Sequence, residues 1–250
     1  MTGRPVTRRQ AAGLLLALAA GAAPDARADP AGGTEETLIA TIRKPVKLRY
    51  LVWNPRPGPA PAAGWPLMIF LHGSGERGAD LAKVTANGPP QQAADGRAFP
   101  FILVAPQAER GTSWDSDEIE ALRAHLVETL PVDPDRVLVT GLSMGGYGAW
   151  NYAASYPDRV AAIVPVCGIG DIERARRVAR VPVWAFHGAL DDVVPLADDL
   201  AMVTRVRQVG GWVRFTIYPD VGHDAWERAY AEPDLYGWML KQRRGHPVVE

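Results

Sequence analysis

The stretch Val137-Leu138-Val139-Thr140-Gly141-Leu142-Ser143-Met144-Gly145-Gly146 decides the fold. Val137 to Thr140 reads as a buried strand, and Met144 to Ser155 as the helix that follows it. Between them, Gly141-Leu142-Ser143-Met144-Gly145 sets a serine at the tip of a sharp strand-to-helix turn. Such a turn excludes a β-carbon two residues to either side of the serine, which accounts for both glycines. Gly146 gives further room for helix to pack on strand. A hydroxyl lifted out of the chain in this way is read as a nucleophile.

Working outward, short apolar runs alternate with helical patterns. Leu38 to Ile42 and Val46 to Trp53 read as two antiparallel strands, and Asn54 to Gly64 as a Pro- and Gly-rich loop. Near-continuous hydrophobic runs follow at Leu67–Leu71, Phe101–Val104, Val137–Val139, Ala161–Val164 and Val183–Phe186, with a last strand at Val213–Tyr218. Runs of that kind suit parallel strands covered on both faces. Asp117 to Leu130 carries Ile119, Leu122, Leu126 and Leu130 in one stripe, and Leu196–Gln208 and Leu235–Gln242 are further helices. Strand and helix alternating at this spacing predict an α/β fold with a mostly parallel sheet and one core. The interval Gly168 to Arg180 holds one short helix and no cap domain.

Composition narrows the class. Of 250 residues, 47% are hydrophobic and 22% charged, with a formal net charge of -1. That balance excludes a disordered chain and gives no basic stripe for nucleic acid. The single cysteine, Cys167, excludes an internal disulfide framework and a cysteine-based zinc site.

Residues 1–28 read as a cleaved export signal. Arg4, Arg8 and Arg9 precede the apolar run Gly13–Ala20, and Ala26-Arg27-Ala28 fits a small-x-small cleavage site. Thr7-Arg8-Arg9-Gln10 resembles the twin-arginine variant, so the expected destination is periplasmic or extracellular. The apolar segment is too short to span a bilayer, and no stable membrane insertion is expected. Residues 29–250 form the expected catalytic domain. Removing four arginines and one aspartate takes the formal charge from -1 to -4.

A serine nucleophile needs a base and a group to orient that base. His223 follows the last strand in Tyr218-Pro219-Asp220-Val221-Gly222-His223, and Asp191 and Asp192 follow the strand at Val183–Phe186. The order Ser143, Asp191 or Asp192, His223 is that of the α/β-hydrolases. Leu71-His72-Gly73-Ser74-Gly75 ends an earlier strand, so the Ser74 and Met144 N–H groups are the expected oxyanion donors.

From Thr37 to Arg244 the chain resembles an α/β-hydrolase of the secreted serine esterase group. The resemblance is to enzymes of the phospholipase/carboxylesterase or predicted-peptidase type, near feruloyl esterases and polyhydroxybutyrate depolymerases. Leu71-His72-Gly73-Ser74-Gly75-Glu76-Arg77-Gly78, Gly141–Gly146, the Asp191 loop and Gly222-His223-Asp224 carry it. It implies ester hydrolysis through an acyl-enzyme, with no metal and no organic cofactor. It also implies Asp191 as the acid, four residues after the histidine of His187-Gly188, with Asp192 facing solvent or capping the loop. An uncapped site suits bulky or polymer-linked esters. A serine peptidase related to prolyl oligopeptidase, and a non-catalytic binding module on a hydrolase scaffold, are the alternatives.

Other signals point elsewhere. Gly73–Gly78 also fits G-x-G-x-x-G, but Gly88-Pro89-Pro90 interrupts the segment where a dinucleotide fold needs its helix. His72 and His187 precede glycines at strand ends and are read as loop-holding groups, and no histidine pair has metal-ligand spacing. Cys167 is read as a small core hydrophobe. Trp114 and Trp226 fall at the carboxyl edge of the sheet and are the expected substrate-binding side chains.

Overall fold

The structure is a computed structural model that describes residues 37–38, 40–41, 44–55, 58–246 and 248. The chain divides into two units, Met1–Pro45 and Val46–Glu250. The expected export signal lies outside the described residues. In the first unit, Thr37, Leu38, Ala40 and Thr41 carry no strand, which corrects the expected strand at 38–42. The described sheet has β1, Arg49–Trp53, as one of its edge strands.

In the second unit the strands after β1 are β2 (Trp65–Leu71), β3 (Ile102–Gln107), β4 (Val132–Leu142), β5 (Ala162–Val166), β6 (Val183–Gly188) and β7 (Val213–Tyr218). They form one 7-stranded sheet in the order β1-β3-β2-β4-β5-β6-β7. Only β1 runs antiparallel to its neighbour; every other pairing is parallel. The hydrophobic runs are explained by the pleat. Along β2, Leu67, Ile69 and Leu71 enter one core cluster, while Met68 and Phe70 enter the other. Both faces of the strand are buried, so no residue is free to be polar.

The helices are α1 (Gly88–Ala94), α2 (Ser116–Thr129), α3 (Met144–Ser155), α4 (Ala175–Val178), α5 (Leu196–Gln208), α6 (Trp226–Ala229) and α7 (Leu235–Lys241). Gly88-Pro89-Pro90 opens α1 and does not interrupt it. Prolines fit a first turn because their missing N–H has no partner there in any case. Between β5 and β6 the chain makes only a 3-10 turn, Ile172–Arg174, and the single turn of α4. Parallel strands deliver the loops after β2, β4, β6 and β7 to the same carboxyl edge, where ligands bind in open α/β sheets.

Candidate active site

β4 runs into α3 through Ser143, whose backbone has φ 51 and ψ -118. A side chain with positive φ is strained by about 1–3 kcal/mol, held here by the packing on both sides. A Cβ on Gly145 would lie 1.8 Å from Leu71 O, and one on Gly141 would lie 2.5 Å from the same oxygen. The glycines therefore let β2 and the turn approach each other.

The second junction joins the loops after β6 and β7. Gly188 approaches the His223 loop so closely that a Cβ there would sit 2.1 Å from Gly222 O. Ala189 N–H donates to Tyr218 O and Leu190 N–H to Val221 O. These contacts bring three side chains into line. His223 Nε2 lies 2.9 Å from Ser143 Oγ, and His223 Nδ1 lies 2.8 Å from Asp191 Oδ2. An aspartate at Nδ1 fixes the tautomer: Nδ1–H donates to the carboxylate, and Nε2 is left to accept the serine proton.

Asp191 is held as firmly. Its Oδ1 accepts from the N–H groups of Val193 at 2.9 Å and Val194 at 2.8 Å. Burial pushes its carboxyl up, but the donors Val194, His223 and Val193 outweigh that and hold it below its ordinary value. The stabilising effect is present above the ordinary aspartate range and is lost only as pH falls through the lowered value. Asp192 is exposed in the next position.

Ser74 opens the 3-10 turn Ser74–Glu76, and Met144 is the first residue of α3. N–H groups in a first helical turn have no partner within their own helix. The loop behind Ser74 is pinned through His72. Its Nδ1 lies 2.6 Å from Gly73 O, and its Nε2 accepts the Ala108 N–H at 3.0 Å. That pattern requires a neutral ring protonated at Nδ1, and burial lowers the pKa of His72 accordingly.

The two tryptophans separate. Trp226, half-buried, meets the His223 ring edge-on at a centroid distance of 5.3 Å. Trp114 is 9% exposed, belongs to the core, and donates its indole N–H to His72 O at 3.0 Å. Its ring also lies against Gly148 and meets the His72 ring edge-on at 4.9 Å, on the inner side of the loop that carries Ser74.

Two features were not legible in advance. Asp199 is fully buried and lies 2.9 Å from His187 Nδ1, while His187 Nε2 lies 2.9 Å from Val194 O. The signal was the helical phase, since Asp199 shares the buried stripe of α5 with Met202, Val203 and Val206. Cys167 is buried as expected, but with φ 48 and with its sulfur close to Asp191 and His223. Among the described residues, Cys167, Asp191 and His223 form a group whose metal-capable atoms lie within 4.8 Å of one another. Asp191 and His223 are engaged with each other, and burial pushes the thiol up to about 12, so the sulfur stays protonated. A cation would have to displace a proton from each of these contacts.

A family model described as the dienelactone hydrolase family matches residues 85–234. A bifunctional acetylxylan esterase/xylanase of Neocallimastix patriciarum is 26% identical over 136 residues, which are 52% of this chain and 20% of that one. A "probable carboxylesterase" of Oryza sativa subsp. japonica is 27% identical over 198 residues, 66% of this chain and 84% of that one. A thermostable esterase of known structure superposes with a TM-score of 0.69 at 27% identity, covering 88% of this chain and 62% of that one. The chain thus spans one fifth of the acetylxylan esterase/xylanase, and less than two thirds of the thermostable esterase.

Proposed function

We propose that this chain, which belongs to the dienelactone hydrolase family, is an exported serine hydrolase that cleaves carboxylic esters. The observation that carries the proposal is the unbroken line Ser143 Oγ, His223, Asp191, with 2.9 and 2.8 Å contacts, at the end of a parallel sheet. The esterases among its relatives support the same reading.

In this reading Ser143 Oγ attacks the ester carbonyl while His223 Nε2 takes its proton. The Ser74 and Met144 N–H groups hold the tetrahedral oxyanion; loss of one such donor costs about 10²–10³ in kcat. The proton on Nε2 then passes to the departing alkoxide, leaving an acyl group on Ser143. Water repeats the sequence with the same base, returning the serine and releasing the acid. Asp191 keeps its charge throughout and steadies the imidazolium. The segment between β5 and β6 is short and carries no cap domain, which supports bulky or polymer-linked esters as substrates. The basic, apolar, small-residue pattern of residues 1–28 supports twin-arginine export to the periplasm or medium.

The test compares p-nitrophenyl acetate with p-nitroacetanilide, which share an acyl group and differ in the bond cleaved. Rapid ester turnover with no measurable anilide cleavage is expected. Anilide turnover equal to or above that of the ester would replace this reading with the peptidase alternative.

A further inference from the structure

The loop that carries Ser74 has a second neighbour on its far side. Gly78 and Ala79 border a cavity of about 430 Å³ whose other walls are Lys47, Arg49, Gln107, Glu109 and Arg110. Register places it on the same edge of the sheet as Ser143. Arg49 of β1 pairs with Gln107, the last residue of β3, and β3 runs parallel to β2 and β4. The two loops are tied together by Gly78 N–H to Ala108 O and by Arg77 to Thr112 O.

The lining carries three cations against one carboxylate, in a chain whose formal charge is -1. Arg49 is anchored at the rim by donating to Ala79 O. Lys47 and Arg110 are exposed and have no ion-pair partner among the described residues. Gln107, 3% exposed, gives its Nε2 hydrogens to Glu76 O at 2.8 Å and Asp80 O at 2.6 Å. Its Oε1 is then left as a buried acceptor without a donor. Unpaired cations call for an anion. Glu109, exposed on the same wall, calls for hydrogen-bond donors, which a phosphate chain or a lipid tail lacks and a sugar hydroxyl supplies.

We propose that this cavity is a second binding site, for a carboxylate-bearing unit of an acidic oligosaccharide whose esterified unit lies at Ser143. This rests on the esterase reading and deepens it by naming the substrate class. From β4 to β1 is three strand spacings, on the order of 10–15 Å, so one ligand reaches both places only as an oligomer.

The experiment uses the full chain and a Lys47→Glu, Arg110→Glu double variant on three substrates: an acetylated oligogalacturonate, an acetylated neutral xylo-oligosaccharide and p-nitrophenyl acetate. Charge reversal should raise KM for the acidic oligomer about tenfold, the equivalent of about 1.4 kcal/mol, with kcat unchanged and the other two substrates unaffected. Unacetylated oligogalacturonate should inhibit the wild type competitively, and less at about 0.5 M salt. Equal KM values in both proteins would overturn the proposal. So would stronger inhibition by inorganic phosphate or anionic phospholipid vesicles than by the oligosaccharide. If no ester is cleaved at all, the esterase reading fails by itself. Calorimetric binding of the unacetylated oligomer, present in the wild type and lost in the variant, then decides this site.

Discussion

Among the described residues, two histidine–aspartate couples lie around the ends of β6 and β7, built alike but set in different surroundings. In one, His223 Nδ1 meets Asp191 at 2.8 Å; in the other, His187 Nδ1 meets Asp199 at 2.9 Å. The difference lies at the opposite nitrogen. His223 Nε2 faces the Ser143 hydroxyl, which can give a proton and take it back. His187 Nε2 faces Val194 O, which can only accept, so that nitrogen must carry a fixed hydrogen. Exposure follows the same division: the His223 side chain is 19% exposed, and that of His187 is sealed. A histidine beside a carboxylate becomes a base only when its far nitrogen meets a group able to exchange a proton.

The couples are also joined. His187 Nε2 lies 3.3 Å from Asp191 Oδ2, so Asp191 is flanked by both rings. Burial works against a charged His187, but Asp199 and Val194 O outweigh it and raise its pKa. Burial pushes Asp199 up to about 6. Both shifts have the same sign for stability. A raised pKa stabilises the fold below the unfolded value, and the effect is lost as pH climbs through the folded one. The sealed couple therefore favours the fold at acid pH and loses that effect as pH rises past neutrality, whereas Asp191 does the opposite at the acid end.

Breaking the exposed couple should have the largest effect. Asp191→Asn leaves the shape but supports the wrong imidazole tautomer, and kcat should fall about 10⁴-fold with little change in KM. Steady-state rates on a p-nitrophenyl ester measure this. Next comes the sealed couple. His187→Gln removes the partner of a buried carboxylate and should cost about 3 kcal/mol in urea unfolding at pH 8. At pH 5 the cost should shrink, because Asp199 then takes a proton of its own. A loss independent of pH would mean that no proton is shared there. The smallest effect belongs to the neighbour of the acid. Asp192 is exposed, so Asp192→Asn should lower kcat less than tenfold and change stability by no more than about 0.5 kcal/mol. A reversed order of Asp191→Asn and Asp192→Asn would shift the loop by one residue.

The exposed couple was legible in the sequence and the sealed one was not, for physical reasons. Ser143, Asp191 and His223 each follow a strand of strong hydrophobic pattern, and their order along the chain is informative in itself. Helices α3 and α5 begin and end where their spacing predicts, Met144–Ser155 and Leu196–Gln208. Asp199 gives no signal of its own, because a carboxylate on a buried stripe is rare unless paired, and its partner lies 12 residues away. Trp114 sits at the correct edge of the sheet, but sequence position does not say whether a ring faces the cleft or the core. The early start of β4 at Val132 was hidden because its ladder resumes with Trp65 across a register shift, beyond the apolar run that marks the strand.

The central claim is that Ser143 is the one residue that His223 activates, and an alkyl fluorophosphonate tests it most directly. Intact-mass measurement should show one adduct per chain, peptide mapping should place it on Ser143, and Ser143→Ala should take no label and lose on the order of 10⁶ in kcat. A label on Cys167 or any other side chain, or an alanine variant that still turns over ester, would contradict the account.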